Sequence, residues 1–284
     1  MTGPDQKSIA IVGCGWLGTA LGLRLRNDFR ARGESATIIA TTTTPARTTE
    51  LEKLGFLPKV VRAEDVEQLR DAIAPCETVF LLVAAGRSRG QSYEQVYVGG
   101  ARALAEVLSD TDVGTIIYTS STSVYAQDDG SWVDEASPAE PTSDNGRALL
   151  AAEQILLTEG ERLGRSVTVL RLAGTYADDR GPQRFLDRFA GTVRENGDAY
   201  LNLVHRDDIV QALTRFAANP QHGVFNLADD VPTSRRDFYS PLLRQAGLPP
   251  IQWRDSTDAC GRGKRVSNAR IKKALGLVLK HPTH

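Results

Sequence analysis

A glycine-rich segment between an apolar run and a helical pattern constrains this chain more than any other feature. Residues 13–18 read GCGWLG; they follow the apolar run Ser8–Val12 and precede leucines at helical spacing. In such a strand–turn–helix unit, the first glycine permits a tight turn, the second lets the main chain approach a pyrophosphate, and the third allows close packing of helix on strand. The dipole and free N–H groups of the helix start favour phosphate. We therefore predict a dinucleotide site that includes Gly13, Gly15, Trp16, Leu17 and Gly18.

Apolar runs and helical patterns alternate through the first two-thirds of the chain. Strands are predicted at Ser8–Val12, Thr37–Thr41, Thr78–Ala84, Thr115–Thr119 and Ser166–Leu172. Continuous apolar strands alternating with helices are typical of a parallel sheet that is covered on both faces. We predict an α/β fold of the Rossmann type with a doubly wound parallel sheet.

The last third of the chain has shorter and more mixed elements. A short strand is expected over Leu201–Val204, and Asp207 or Asp208 is expected to cap the helix that follows. The segment Ser234–Asp237 has the pattern of a capping box. We predict a dinucleotide-binding domain over residues 1–175 and a small α/β substrate lobe over residues 176–284, interleaved with the last strands of the sheet.

The end of the second predicted strand bears on the choice of cofactor. Residues 41–47 read TTTTPAR, without the acidic residue that would hold the ribose hydroxyls of NAD. Hydroxyls, a helix start and an arginine favour a phosphate, so NADP is preferred over NAD. Alternatively, the threonines simply end a strand and cap a helix. The residues expected to contact the cofactor from here and from the ends of later strands are Thr41, Thr42, Thr43, Arg47, Val83, Ala84, Ala85, Thr119 and Ser120.

Composition and charge exclude several classes of partner. Lys and Arg number 34 and Asp and Glu 35, a net charge of −1 that argues against general nucleic-acid binding. No stretch approaches the ~20 apolar residues of a membrane span, and the first residues lack the pattern of a signal peptide. Three cysteines, far apart, fit a reducing compartment and predict no metal site. We expect a cytoplasmic monomer or homodimer that binds a small molecule.

The segment Tyr118–Tyr125 (YTSSTSVY) resembles the extended short-chain dehydrogenase/reductase superfamily, in its epimerase/dehydratase branch. Further similar segments follow in order: VLRLAGTY, NLVHRDDIV and VFNLADD. The resemblance covers nearly the whole chain and is closest to an atypical subgroup, the YeeZ-like proteins. It implies a dinucleotide-dependent enzyme and says little about the substrate.

In that superfamily, a Ser or Thr, a Tyr and a Lys carry out catalysis, and the last two lie one helical turn apart. Residues 152–156 (AEQIL) resemble the superfamily's VEQIL pattern, and this resemblance places Asn145 at the tyrosine position and Leu149 at the lysine position. The resemblance carries Ser121 over as the catalytic hydroxyl. Water, Tyr176 or His205 would then replace the missing tyrosine as the source of the proton.

Several polar and basic residues are expected on the substrate side. They are Ser123, Asn145, Arg147, Arg184 and Lys264, the last within the basic loop GRGKR. An arginine is a good clamp for an anion and a poor acid or base. We predict an NAD(P)-dependent oxidoreductase acting on a small anionic or carbonyl substrate. The alternatives are a non-catalytic dinucleotide-binding sensor or scaffold, and a nucleotide-sugar epimerase or dehydratase.

Overall fold

A computed structural model of the protein describes residues 7–85, 90–254 and 261–281, with the main chain alone at residues 182–184. The chain forms two compact units. The first comprises residues up to Val124, Pro141–Arg171 and Val210–Val224; the second comprises Tyr125–Glu140, Leu172–Ile209 and the residues from Phe225 onward. The sequence analysis predicted a single boundary at residue 175. In the structure, residues 125–140 belong to the second unit and residues 210–224 belong to the first.

Strands and helices alternate along most of the chain. They are β1 (Lys7–Val12), α1 (Trp16–Ala31), β2 (Ala36–Thr42), α2 (Thr48–Lys53), β3 (Leu57–Val60), α3 (Val66–Ile73), β4 (Thr78–Leu81), α4 (Gly100–Leu108), β5 (Thr115–Ser121), β6 (Asp129–Val133), α5 (Asp144–Leu163), β7 (Ser166–Leu172), β8 (Gly174–Tyr176), β9 (Val193–Glu195), β10 (Tyr200–Leu201), β11 (Leu203–His205), α6 (Arg206–Ala218), β12 (Gly223–Leu227), β13 (Thr233–Ser234), α7 (Arg235–Gln245), β14 (Gln252–Arg254), β15 (Gly263–Val266) and α8 (Ala269–Leu275). Glu94–Gly99 forms a π-helical segment directly before α4.

A seven-stranded sheet has the order β12-β7-β5-β4-β1-β2-β3. The strand β1 pairs in parallel with both β2 and β4, so the winding direction reverses at β1. Opposite one another in these ladders lie Ala10, Ile39 and Val79, all fully buried. The predicted doubly wound α/β fold is confirmed.

The edge strand β3 and the helix α3 were not expected from the sequence. The strand β3 reads LPKV and is only partly buried, with Leu57 and Val60 each 48% exposed. Because an edge strand leaves one row of N–H groups unpaired, it tolerates Pro58. A short strand that contains proline lacks the apolar run by which the central strands were recognised.

The second unit is built from pairs of short strands. The pairs are β8 with β11, β9 with β14, β6 with β15, all parallel, and β10 with β13, antiparallel. The predicted strand Leu201–Val204 is divided into two at Asn202. The side chain of Asn202 donates to the carbonyl of Lys264 (2.8 Å) and accepts from the main-chain N–H of Val266 (2.8 Å). These bonds to β15 replace a continuous ladder.

One of the two predicted helix caps is confirmed and the other is wrong. Ser234 Oγ accepts from the N–H of Asp237 (3.0 Å), as the capping box predicts. The helix α6 instead begins at Arg206, so Asp207 and Asp208 lie in its first turn. The buried Asp208 carboxylate accepts two main-chain N–H groups from Lys280 and His281, at 2.8 and 3.1 Å.

The described cysteines are chemically quiet. Cys14 and Cys76 are buried free thiols, whereas Cys260 lies outside the described residues. Burial raises the pKa of Cys14 and raises the pKa of Cys76 to about 12, so both thiols stay protonated. Separately, none of the helices in the described ranges combines the length and apolar character that a membrane span requires.

Candidate functional site

The three glycines of the first turn are required for different reasons. Gly13 has a φ of +86°, and a Cβ atom there would lie 3.0 Å from the main chain of Leu82. A Cβ on Gly18 would lie 2.9 Å from Ile11 Cγ2. At Gly15 the nearest atom would be 3.9 Å away, and its φ is −87°. Packing within the protein therefore explains the first and third glycines, and the second borders free space.

The start of α1 fits a pyrophosphate. Gly15 is the N-cap residue, and no side chain of the described residues caps the helix. The first turn of α1 holds no acidic side chain. Uncapped N–H groups beside a position without a side chain are what a dinucleotide phosphate needs. The residues present thus suit the predicted cofactor.

The run of four threonines at the end of β2 divides into two buried residues and two exposed residues. Thr41 Oγ1 accepts from the N–H of Gly13 (3.0 Å), and Thr42 Oγ1 accepts from the N–H of Thr44 (3.1 Å). Both threonines are buried, whereas Thr43 is exposed. The first two hydroxyls therefore hold the turns of the main chain, and of the three predicted threonine contacts Thr43 is the exposed one.

Arg47 lies against the glycine turn. Its Nη1 donates to the carbonyl of Cys14 (2.9 Å), and its Nη2 donates to Thr19 Oγ1 (3.4 Å). Its Nε lies 3.5 Å from Glu50 Oε2. About a third of the side chain remains exposed. The guanidinium group thus lies beside the start of α1 and can also reach solvent.

The ends of β4 and β5 supply the remaining candidates for cofactor contact. After β4, Val83 and Ala85 are half-buried and Ala84 is exposed. At the end of β5, Thr119 is half-buried, whereas the Ser120 hydroxyl donates to the buried carboxylate of Glu153. This bond commits the Ser120 side chain to the interior. The side chains of its neighbours in the strand face the opposite side. Only the main chain of Ser120 remains for a cofactor.

Ser121 is the last residue of β5, and Ser123 lies close to it in the segment that follows. The Oγ of Ser121, a half-buried residue, accepts from the N–H of Ser123 (3.1 Å). The Ser123 Oγ is buried and has no hydrogen-bond partner among the described residues. The start of α5 packs on this loop, since a Cβ on Gly146 would lie 2.9 Å from the Ser123 carbonyl. The structure therefore brings two hydroxyls and the start of α5 into one place.

The helix α5 lacks the tyrosine–lysine pair on the face where the family carries it. Asn145 is half-buried, and Leu149, one turn later on the same side, is only 4% exposed. Arg147 lies about 200° around the helix from Asn145. Its exposed guanidinium pairs with Asp144 and donates to the carbonyl of Thr142 (2.8 Å). Asn145 therefore shares the side of α5 that carries Leu149, whereas Arg147 is turned away from it.

A buried ion pair in the first unit was missed in the sequence. Glu153, on the same side of α5 as Leu149, and Arg171, on β7, are 1% and 5% exposed. The Arg171 Nη2 lies 2.7 Å from Glu153 Oε2, and its Nε lies 3.1 Å from both carboxylate oxygens. A charged residue at an apolar position of a helix, and another inside the strand SVTVLRL, were the available signals. The pair fixes α5 against β7, and the Ser120 hydroxyl of β5 donates to the same carboxylate.

The neighbouring phenol of Tyr118 cannot act as a base near neutral pH. Tyr118 is fully buried, and its hydroxyl has no hydrogen-bond partner within the described part of the chain. Burial, followed by the Glu153 carboxylate, holds the pKa of Tyr118 well above its ordinary value. This tyrosine therefore does not substitute for the one missing from α5.

In the second unit, the candidate acids Tyr176 and His205 lie on facing positions of β8 and β11. Their rings meet edge to face at 5.1 Å, and the Tyr176 hydroxyl donates to the carbonyl of His281 (3.1 Å). His205 Nδ1 accepts from the N–H of Asp207 (3.2 Å), which places the proton of the neutral ring on Nε2. Burial lowers the pKa of His205, and the neighbouring His281 lowers this pKa further. His205 is therefore a neutral hydrogen-bond donor.

His205 also belongs to a second group, with Asp207 and His281. Potential metal-ligand atoms of these three side chains lie within 4.8 Å of one another. The two imidazole rings stack at 3.9 Å with an interplanar angle of 24°. Nitrogen lone pairs lie in the ring plane, and a metal ion binds at about 2.0–2.1 Å. Nearly parallel rings at this separation cannot direct both lone pairs to one ion. The rings of His205 and His281 therefore pack against each other and are not directed toward a shared ion.

Lys264 is held inside the second unit. Its Nζ donates to the carbonyl of Tyr125 (2.8 Å), and burial lowers its pKa. Tyr125 is itself buried, and its hydroxyl donates to Asn226 Oδ1 (2.9 Å), so it packs and does not act as an acid. The side chain of Arg184, another predicted substrate contact, lies outside what the structure describes.

Comparisons with known sequences show the family of this chain. A sequence model of the NAD dependent epimerase/dehydratase family matches residues 9–228. Protein YeeZ of Escherichia coli strain K12 is 34% identical, over 98% of this chain and 97% of that protein. The predicted family and subgroup are confirmed.

Solved structures of similar fold include one of unknown function and one of a named enzyme. A functionally unknown conserved protein from Silicibacter pomeroyi is 27% identical, with a TM-score of 0.76 over 98% of this chain and 95% of that one. A double mutant of DesIV, a dTDP-glucose 4,6-dehydratase from Streptomyces venezuelae with NAD bound, is 15% identical, with a TM-score of 0.81 over 98% and 93% of the two chains. The second likeness concerns the fold alone.

Proposed function

Because this chain belongs to the NAD dependent epimerase/dehydratase family, we propose that it is an NADP(H)-dependent oxidoreductase of an atypical short-chain dehydrogenase type. Its substrate would be a small anionic or carbonyl compound. The observation that carries the proposal is the combination, in one unit, of the open glycine turn at Gly15 and the Ser121 hydroxyl at the end of β5. Cytoplasmic location and a monomeric or homodimeric state remain predictions.

The proposed site uses residues that the structure leaves available. The start of α1 would hold the pyrophosphate, while Thr43 and Arg47 would hold the 2′-phosphate of the adenosine ribose. The nicotinamide, when bound, supplies the exchange of a hydride. Ser121 would donate a hydrogen bond to the substrate oxygen, with Asn145 as a second donor. Neither can release a proton easily near neutral pH, so water is the proposed source of the proton in the absence of a tyrosine.

Removing the Ser121 hydroxyl tests the proposal directly. We expect Ser121→Ala to bind NADPH as the native protein does and to slow hydride transfer by about 10²–10³-fold, because a donor to the developing oxyanion is lost. Single-turnover oxidation of bound NADPH with a panel of small carbonyl acids measures this. The matched control is Ser137→Ala, which removes a half-buried hydroxyl that bonds with Asp134 in the second unit. Equal rates in the native protein and Ser121→Ala would contradict the assignment.

A non-catalytic sensor is the alternative that the missing tyrosine and lysine favour. In that case no small carbonyl compound would oxidise NADPH in the native protein. Turnover would appear only in the variant that combines Asn145→Tyr with Leu149→Lys. We expect that variant to remain slow, since a lysine at the buried position 149 is driven toward its neutral form and cannot lower the tyrosine pKa.

Nucleotide-sugar epimerisation or dehydration is the second alternative, and the dehydratase of similar fold favours it. Those reactions depend most on the tyrosine base, which is lacking in α5. Incubating the protein with NAD and dTDP-glucose distinguishes this alternative, because dehydration predicts a 4-keto product and epimerisation predicts the C4 epimer, in each case without net consumption of cofactor.

Cofactor preference depends on Arg47. We expect Arg47→Ala to weaken NADPH binding about 10–100-fold more than NADH binding, because a charge-assisted contact is worth roughly 1.5–3 kcal/mol and only NADPH carries the 2′-phosphate. A further slight decrease should be common to both cofactors, because Arg47 also contacts the Cys14 carbonyl of the glycine turn. Fluorescence titration with each cofactor gives the ratio. An unchanged ratio would assign Arg47 to the turn alone and remove the basis for NADP.

A further inference from the structure

The segment after β4 borders the crevice in which a doubly wound sheet binds its ligand. The winding direction reverses at β1, and ligands of such sheets bind beyond the carboxyl ends of the strands at that point, here β1 and β4. Residues 82–85 leave β4 at this edge. The Leu82 N–H donates to the Val12 carbonyl (2.8 Å), and the Leu82 main chain lies against Gly13. The start of the segment is therefore held by β1 and the glycine turn.

A buried tyrosine holds the other end of this segment. The Ala85 N–H donates to the hydroxyl of Tyr97 (3.3 Å), whose side chain is only 9% exposed. Burial raises the pKa of Tyr97, so the phenol stays protonated near neutral pH and accepts the bond as a neutral group. Tyr97 thus fixes residue 85 in the way that β1 fixes residue 82.

Tyr97 lies in an unusual helical turn. The π-helical segment Glu94–Gly99 leads directly into α4. Such turns are rare, occur mostly singly and are frequent at functional sites. One extra residue in a turn rotates the residues on its two sides by about 100° relative to each other. A regular α-helix over the same residues would therefore turn the phenol of Tyr97 away from Ala85.

Contacts outside the helix support this turn. The Glu64 Oε1, on a side chain that is 17% exposed, accepts from the amides of Gln91 (3.5 Å) and Gln95 (3.3 Å). The Tyr93 ring lies nearly parallel to the Tyr97 ring, with centres 6.3 Å apart and an interplanar angle of 5°. These contacts offset the poorer geometry of the π-helical segment and hold the Tyr97 ring in one orientation.

We propose that Tyr97 is a positioning residue for the nicotinamide half of the dinucleotide, because its hydroxyl fixes residues 82–85 at the edge of the crevice. Each half of a doubly wound sheet holds one mononucleotide. Thr43 and Arg47, after β2, are the proposed contacts of the adenosine half, so the segment after β4 belongs to the other half. Fixing the segment before the cofactor arrives reduces the entropy lost on binding. The inference rests on the dinucleotide site of the proposed function and requires no turnover.

Titrating the full-length protein with a whole and with a half cofactor tests this role. We expect Tyr97→Phe to weaken NADPH binding about 3–10-fold, the effect of one lost hydrogen bond. Its affinity for adenosine 2′,5′-bisphosphate, which lacks the nicotinamide half, should be unchanged. The fluorescence emission of bound NADPH, which reports the surroundings of the nicotinamide, should shift toward that of the free cofactor.

Tyr93→Phe is the matched control. It removes the hydroxyl of the neighbouring parallel ring, which makes no hydrogen bond within the described residues, and should change neither affinity. An equal loss for both ligands in Tyr97→Phe, or an equal loss in the control, would make Tyr97 a packing residue and overturn the inference. Unchanged NADPH binding by Tyr97→Phe would overturn it as well.

Two further outcomes separate this role from proton transfer and from the proposed function. Because burial keeps the phenol protonated, the loss should be the same at about pH 6 and about pH 9, both below the ordinary phenol pKa of ~10. A loss at only one of these pH values would contradict positioning by a neutral hydroxyl. A native protein that binds NADPH without oxidising it would refute the oxidoreductase and leave the expected losses intact, whereas one that binds neither ligand would refute both.

Discussion

The variant Gly15→Val is expected to fold like the native protein and to lose at least ~100-fold in dinucleotide affinity, or about 2.7 kcal/mol. A Cβ at Gly15 meets no protein atom closer than 3.9 Å, and its φ is negative. The new side chain therefore meets little resistance in the free protein. It occupies the space in which a pyrophosphate would approach the start of α1. NADPH titration and thermal unfolding of the same sample measure both effects.

Gly18→Val is the matched substitution three residues later. A Cβ there would lie 2.9 Å from Ile11 Cγ2 and 3.2 Å from the Gly13 carbonyl, so the helix must move away from the sheet. Overpacking of this kind costs about 1–3 kcal/mol and lowers the melting temperature. The two variants thus separate a ligand contact from a packing contact. Normal NADPH binding by Gly15→Val would reduce the glycine motif to a turn.

Glu153→Ala is expected to lower the free energy of unfolding by about 3–5 kcal/mol, the largest loss of stability for any single substitution considered. The Arg171 guanidinium would remain 5% exposed without its carboxylate, and the Ser120 hydroxyl would lose its acceptor. A buried charge that loses its counter-charge carries an uncompensated cost of desolvation. Urea denaturation at pH 7 measures the change.

A carboxylate elsewhere on α5 supplies the control. Glu159 pairs with Arg162 three residues away, and the arginine is 58% exposed. Solvent screens this pair, so Glu159→Ala should change the free energy of unfolding by no more than about 1 kcal/mol. Replacing both members of the buried pair, with Glu153→Met and Arg171→Met together, should recover much of the loss. A loss equally small for Glu153→Ala and Glu159→Ala would contradict the view that the buried pair holds α5 in place.

Short-range patterns were enough to predict the frame of the first unit. The glycine turn, the apolar strands and the Ser234 capping box each depend on residues at most a few positions apart. Such patterns reflect main-chain geometry and periodicity, which the local sequence expresses directly. The absence of a tyrosine and a lysine at residues 145 and 149 of α5 was also readable from the sequence, through the resemblance of residues 152–156 to the family's pattern.

The partners of individual side chains required the tertiary structure. Ser120 bonds to Glu153, which is 33 positions away, and Asp208 accepts from residues more than 70 positions away. Nothing local distinguishes Ser120, committed to the interior, from its neighbour Ser121. The division of the predicted strand at Asn202 also depends on the distant strand β15. Long-range contacts decide which polar side chains are used up within the protein and which remain for a ligand, because each buried donor or acceptor must find its partner wherever the folded chain brings one.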